Sequence, residues 1–184
     1  GRSNAGKSSA INVLCNRRRL AFASRTPGRT QALNYFAVGP VDRAIAYLVD
    51  TPGYGYASAP LETKRTWDQL AGEYLSSRPQ LAGTVLMADI RRKLTDLDRR
   101  LLAWVPDGVR LVVTLTKSDK LPRQQARQAL RDVIDELEQL RPGADNKVLL
   151  FSALNRSGSD ELTAVVENWI AVGLPASPKD STNA

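Results

Sequence analysis

"GRSNAGKSS", residues 1–9, opens the chain and decides how the rest is read. Gly1, Gly6, Lys7 and Ser8 fit the spacing G-x-x-x-x-G-K-[ST] of a phosphate-binding loop. Glycines let such a loop curl until its backbone N–H groups point inward at phosphate oxygens. Arg2, Ser3, Asn4 and Ala5 complete the cradle. Lys7 is suited to reach the β- and γ-phosphates, and the Ser8 hydroxyl to ligate Mg²⁺. The run "KSSAINVLCN" at 7–16 then reads as a helix whose N-terminus adds partial positive charge at the same place. The motif calls for a strand before it, so the first core strand is expected to lie ahead of Gly1, outside these residues.

Composition sets the frame. A length of 184 residues suits one domain with a real core, and 42% apolar with 24% charged residues is ordinary for a globular protein. No apolar run approaches the length of a membrane span. The single cysteine, Cys15, excludes an internal disulfide and reads as a small core residue on the first helix, which suits the cytoplasm. With no histidine, histidine-based catalysis and histidine-built zinc sites are excluded. The net charge of +7 favours anionic partners. The arginines are clustered at Arg17, Arg18 and Arg19, at Arg25 and Arg29, at Arg91, Arg92 and Lys93, and at Arg99 and Arg100, which points to RNA. Aromatics are only 6%, so a base-stacking platform is not favoured.

Elements alternate along the chain. Residues 33–39 and 44–50 read as strands joined by a turn at Gly39 and Pro40, and 61–77 as a helix with Trp67, Leu70, Tyr74 and Leu75 on one side. "GTVLMAD" and "VRLVVTLT" are continuous apolar runs typical of buried strands. Helices are expected at 95–104, at 122–140 opened by Pro122, and at 159–172, with a further strand in "KVLLFSA". One domain over 1–173 follows, with a polar, disordered tail at 174–184. Strand–helix alternation with full burial predicts an α/β fold, a mostly parallel central sheet with helices on both faces. Ligands in such sheets sit at the carboxyl ends of strands.

Further motifs fall at those ends. In "LVDTPGYG", Asp50 is a candidate Mg²⁺ carboxylate, Thr51 and Pro52 form the turn, and the Gly53 N–H can sense a γ-phosphate. In "TLTKSD", Thr116, Lys117, Ser118 and Asp119 form a candidate base-reading segment. The Asp119 carboxylate can accept from the N1–H and exocyclic amine of guanine, and adenine lacks that donor pair. Lys117 can lay its stem along the base. Phe151, Ser152 and Ala153 follow "KVLL" and can hold the base through loop contacts. "TPGRTQ" at 26–31, running into Ala32, is placed to sense the γ-phosphate: Gly28, Arg29, Thr30 and Gln31 carry it, and Thr30 can offer its hydroxyl to Mg²⁺.

Together, "GRSNAGKSS", "TPGRTQ", "DTPGYGYA", "TKSDK" and "FSAL" resemble the EngB family of bacterial ribosome-biogenesis GTPases, over Gly1 to about Gly173. The resemblance implies a Ras-like P-loop fold and binding of GTP and GDP with Mg²⁺. It also implies a role in assembling the large ribosomal subunit, with its rRNA as partner, and a link to cell division and septation. By motif, it assigns the phosphate loop to Gly1–Ser8, the metal ligands to Ser8 and Thr30, the second switch to Asp50–Gly53, and the guanine segment to Thr116–Asp119. Thr51 stands where leucine is more usual, and Thr116 where GTPases in general carry asparagine. Tyr54 occupies the position of the water-orienting glutamine of Ras-type enzymes, so slow intrinsic hydrolysis, stimulated by the ribosomal particle, is expected. Asn4 suggests a K⁺ ion acting as an arginine-finger substitute, or a loop-stabilising hydrogen bond. A monomer is expected. The rival readings are an RNA-binding assembly factor in which hydrolysis is incidental, and a P-loop ATPase.

Overall fold

A computed structural model of the chain describes residues 1–22, 32–54 and 72–173. Helix α1 (Lys7–Leu14) follows the phosphate loop. Strands β1 (Asn34–Val38) and β2 (Ala46–Asp50) pair antiparallel, with Tyr35 opposite Val49. Helical residues 72–77 (α2) lead to β3 (Gly83–Asp89), α3 (Asp96–Trp104), β4 (Arg110–Thr116) and α4 (Arg123–Leu140). Strand β5 (Asn146–Leu150) and α5 (Ser159–Gly173) complete the order.

The continuous apolar runs do form the centre. β3, β4 and β5 pair in parallel, with Asp89 opposite Thr116 and Val113 opposite Val148. Side chains alternate across a strand, so each run feeds two cores. Leu86, Ala88, Leu111, Val113 and Leu115 pack with Leu101 and Leu102 of α3 and Val133 and Leu137 of α4. Met87, Val112 and Leu149 pack on the other face with Ala10 of α1 and Leu162, Val165 and Trp169 of α5. Helices therefore cover both faces, as expected for a sheet whose strands are apolar on each side.

Element ends differ modestly from the sequence reading. Pro122 is the residue before α4 rather than its first turn, and α1 stops at Leu14, leaving Cys15 as its half-buried C-cap instead of a core residue. "FSA" leaves the β5 ladder after Leu150. Trp67 and Leu70 lie outside the described residues, as does the 174–184 tail; Leu75 is buried in the α3–α4 core.

Among the described residues, β2 pairs only with β1 and β3 only with β4. Between their unpaired edges lies a cleft of about 640 Å³ lined by Val49, Val85, Leu101, Trp104 and Trp169. Gly1 is buried beside it.

Candidate nucleotide-binding site

The site is built at the carboxyl ends of β2, β3, β4 and β5. The phosphate loop needs backbone that few residues adopt: Asn4 has φ 61° and Gly6 φ 95°. Gly6 is also the N-cap of α1, whose first turn begins with Ala10 N–H donating to the Gly6 carbonyl at 2.9 Å. Gly53 is required for a different reason. A Cβ there would lie 2.6 Å from the Ser3 Cα and 2.8 Å from Lys7 Nζ, so only glycine lets the two loops touch. Ser3 N–H donates to the Tyr54 carbonyl at 2.9 Å, fastening the contact.

Lys7 Nζ donates to the Gly1 and Arg2 carbonyls at 2.9 and 3.0 Å. Burial lowers the Lys7 pKa to about 8, against the charges of Asp50 and Asp98, which oppose the shift. The Ser8 hydroxyl donates to Asp50 Oδ2 at 2.9 Å. Asp50 is 3% exposed, and its Oδ1 is buried with no hydrogen-bond partner among the described residues. A buried carboxylate oxygen left unpaired beside a hydroxyl is a donor set that fits a hard divalent cation such as Mg²⁺.

The base-reading segment is equally constrained. Thr116 Oγ1 lies 2.8 Å from the Ala5 carbonyl and 3.1 Å from that of Ala88, tying the phosphate loop to β3 and β4. Lys117 adopts φ 57° and its Nζ donates to the Asn4 carbonyl at 2.9 Å. A 3₁₀ turn, Ser118–Lys120, presents Asp119. The Ser152 hydroxyl donates to Asp119 Oδ1 at 2.6 Å, and Lys120 lies 3.3 Å from Oδ2. The Ser152 hydrogen bond is the main cause of a lowered Asp119 pKa, so the group is an acceptor at neutral pH. Ser152 is fully buried and Phe151 is 1% exposed, whereas Ala153 is half-buried. Ser152 therefore acts on the pocket by aiming Asp119 rather than by lining it.

Gly28, Arg29, Thr30 and Gln31 lie outside the described residues, as does Arg25; Ala32 is exposed, and Thr51 and Pro52 are half-buried. Tyr54, at the position of the water-orienting glutamine, is engaged by α3. Its hydroxyl donates to Asp98 Oδ1 in a short hydrogen bond. Burial, then the Asp98 carboxylate, raise its pKa far above that of a free phenol. Its ring thus points to α3, where Asp98 also accepts from the Thr95 N–H at 2.8 Å. Two residues of the site were not signalled as such by the sequence, Asp98 and Asp89. Each is a carboxylate embedded in an apolar run or helix face, and that mismatch was the only available clue.

The basic clusters are also redistributed. Arg91 pairs with Asp89 at 2.6 Å, Lys93 with Asp132 at 2.6 Å, and Arg99 with Asp96 and Glu136. Among the described residues, Arg92 and Arg100 have no such pair, so the 91–93 run is not a bare cationic patch. Arg17, Arg18 and Arg19 are exposed, and Arg156 reaches the neighbouring Asn16 at 3.1 Å.

The comparisons agree with this geometry. The family described as "50S ribosome-binding GTPase" matches residues 1–117. A "Probable GTP-binding protein EngB" of Burkholderia pseudomallei (strain 1106a) is 55% identical over 174 residues, covering 92% of this chain and 80% of that protein. The protein of the same name from Paraburkholderia phymatum is 53% identical over 182 residues, covering 97% and 83%. The chain belongs to the EngB family of GTP-binding proteins. A crystal structure of a probable GTP-binding protein EngB superposes with TM-score 0.68 at 17% identity, covering 94% of this chain and 96% of that one. Era in complex with MgGDPNP and nucleotides 1506–1542 of 16S ribosomal RNA superposes with TM-score 0.71 at 21% identity, covering 98% and 58%. Both likenesses place the fold among P-loop GTPases. Among the described residues, no helix is long and apolar enough to cross a membrane.

Lys7 gives the site a pH signature. If Lys7 contacts nucleotide phosphates, it does so in its protonated form, so affinity is expected to be near full well below pH 8 and to fall as pH rises through about 8. GDP affinity is expected to drop about fourfold between pH 7 and pH 8.5, with Lys7→Arg flat over the same range. A flat profile for the unmodified protein in a fluorescent-nucleotide titration would contradict the lowered Lys7 pKa.

Proposed function

We propose that this EngB-family chain is a guanine-nucleotide switch that acts in assembly of the large ribosomal subunit. The observation that carries the reading is Asp119, held at a strand end by Ser152 as an ionised acceptor. That carboxylate suits the donor pair of guanine and would be left unpaired against adenine, which argues against the ATPase reading. Lys7 and the backbone of Gly1–Ser8 would take the phosphates of GTP or GDP. Ser8, Asp50 and Thr30 would hold Mg²⁺, which when bound neutralises phosphate charge.

Hydrolysis is expected to be slow, because Tyr54, at the water-orienting position, is committed to Asp98 rather than to the phosphate loop's mouth. Stimulation then falls to a partner, and the ribosomal particle suits a basic chain. Era, bound to ribosomal RNA in its crystal structure, is a fold-level precedent for that class of partner. Arg17, Arg18 and Arg19, exposed at the end of α1, are the surface we assign to rRNA. A K⁺ ion beside Asn4, a cytoplasmic monomer and a role in division and septation belong to the same reading. The Tyr54 geometry equally favours a second reading, an RNA-binding assembly factor in which hydrolysis is incidental.

Sedimentation with large ribosomal subunits separates the two. The switch reading predicts stronger co-sedimentation with a non-hydrolysable GTP analogue than with GDP, loss of that difference in Lys7→Ala, and faster GTP hydrolysis when subunits are added. Nucleotide-independent binding with an unchanged hydrolysis rate would overturn the switch reading.

A further inference from the structure

Asp89 ends the buried strand β3 and sits directly opposite Thr116 in the β3–β4 register. Its side chain is 10% exposed. A carboxylate at that depth needs every acceptor site filled. Oδ1 accepts from the Arg91 backbone N–H at 3.1 Å and from Arg91 Nε at 2.9 Å. Oδ2 accepts from Arg91 Nη2 at 2.6 Å and from Lys117 Nζ at 2.9 Å. The two partners are unlike. Arg91 is 51% exposed and closes the carboxylate from the solvent side. Lys117 belongs to the base-reading segment, and its amine also donates to the Asn4 carbonyl of the phosphate loop.

From this geometry we infer that Asp89 is a positioning residue for nucleotide binding: it fixes the Lys117 ammonium over the phosphate loop and so locks the base-reading segment to the loop that holds the phosphates. Lys117 needs such a hold for two reasons. Its backbone sits at φ 57°, which a non-glycine residue adopts only when its surroundings enforce it. Its long stem also loses considerable rotamer freedom when the amine is pinned. The Asn4 carbonyl offers one neutral acceptor, whereas Asp89 adds a charge-assisted one. Burial acts to raise the Asp89 pKa, but the hydrogen bonds from Arg91 and Lys117 outweigh it, so the carboxylate stays ionised across the working pH range. The assignment rests on the guanine-nucleotide reading of Asp119, yet its test does not depend on ribosomes or on hydrolysis.

The experiment is a double-mutant cycle on GDP affinity in Mg²⁺, read by a fluorescent guanine nucleotide, with Asp89→Asn, Lys117→Ala and the pair. Asp89→Asn is nearly isosteric and is expected to weaken GDP binding about tenfold, the scale of one charged hydrogen bond. In the Lys117→Ala background the same change is expected to cost less than about twofold, because the group it acts through is gone. Arg91→Ala is expected to leave affinity within about twofold. Equal losses from Asp89→Asn in both backgrounds would mean that it merely supports the fold. A loss from Arg91→Ala as large as that from Asp89→Asn would mean that the carboxylate acts through Arg91. Either result overturns the assignment, as does unchanged affinity in Asp89→Asn. Should the amide not fold, Asp89→Ser takes its place in the same cycle and is read in the same way. If none of the proteins binds guanine nucleotide, the Asp119 reading fails first, which the parent protein alone reveals.

Discussion

The hydrogen bonds from the end of β4 to the phosphate loop are the constraint on which the rest depends. Thr116 Oγ1 lies within reach of the Ala5 and Ala88 carbonyls, and Lys117 Nζ reaches Asn4. Through them a loop with two residues at positive φ is held against a sheet whose middle strand is almost wholly inaccessible to solvent. The parallel sheet supplies rigidity and the strand ends supply the chemistry, a division of labour common in α/β folds. Without the Thr116 anchor the phosphate loop would have to pay for its own unusual backbone, and Lys7, Ser8 and Asp50 would have no fixed frame in which to meet.

Thr116 stands where GTPases in general carry asparagine. A threonine in place of an asparagine amide makes fewer contacts in principle. Here its hydroxyl lies within hydrogen-bond distance of carbonyls on two separate elements, and the residue is 2% exposed. A compact side chain fits that buried position, and the remaining contacts come from neighbours: Asp89 for Lys117 and Ser152 for Asp119. The base-reading segment is thus oriented by side chains from β3 and from the loop after β5, rather than by its own length.

Much of the fold was legible because the signals were local. "GTVLMAD" and "VRLVVTLT" are largely apolar stretches, and they became β3 and β4 with the second strand starting one residue later, at Arg110. The phosphate loop and "TKSD" were legible because their chemistry needs fixed spacing. Long-range pairing was not legible. Nothing in the sequence says that the Tyr54 hydroxyl would find Asp98, 44 residues away, or that Lys93 would pair with Asp132, 39 residues away. Both contacts bear on the proposed function: one commits the Tyr54 phenol to α3, the other pairs a lysine of the basic run with a carboxylate. Composition likewise overstated free charge around 91–100, because acidic partners from α3 and α4 fold onto it.

The central claim is that Asp119 reads guanine, and exchanging its chemistry tests it most directly. Asp119→Asn keeps the shape and the Ser152 contact but replaces an acceptor with an amide that can also donate. Xanthine carries a carbonyl where guanine carries its exocyclic amine. The account predicts that the variant loses GDP affinity by roughly a hundredfold and gains XDP affinity, while ADP stays excluded by both proteins. Undiminished GDP binding by Asp119→Asn, or ADP binding as tight as GDP binding in the parent protein, would contradict the account.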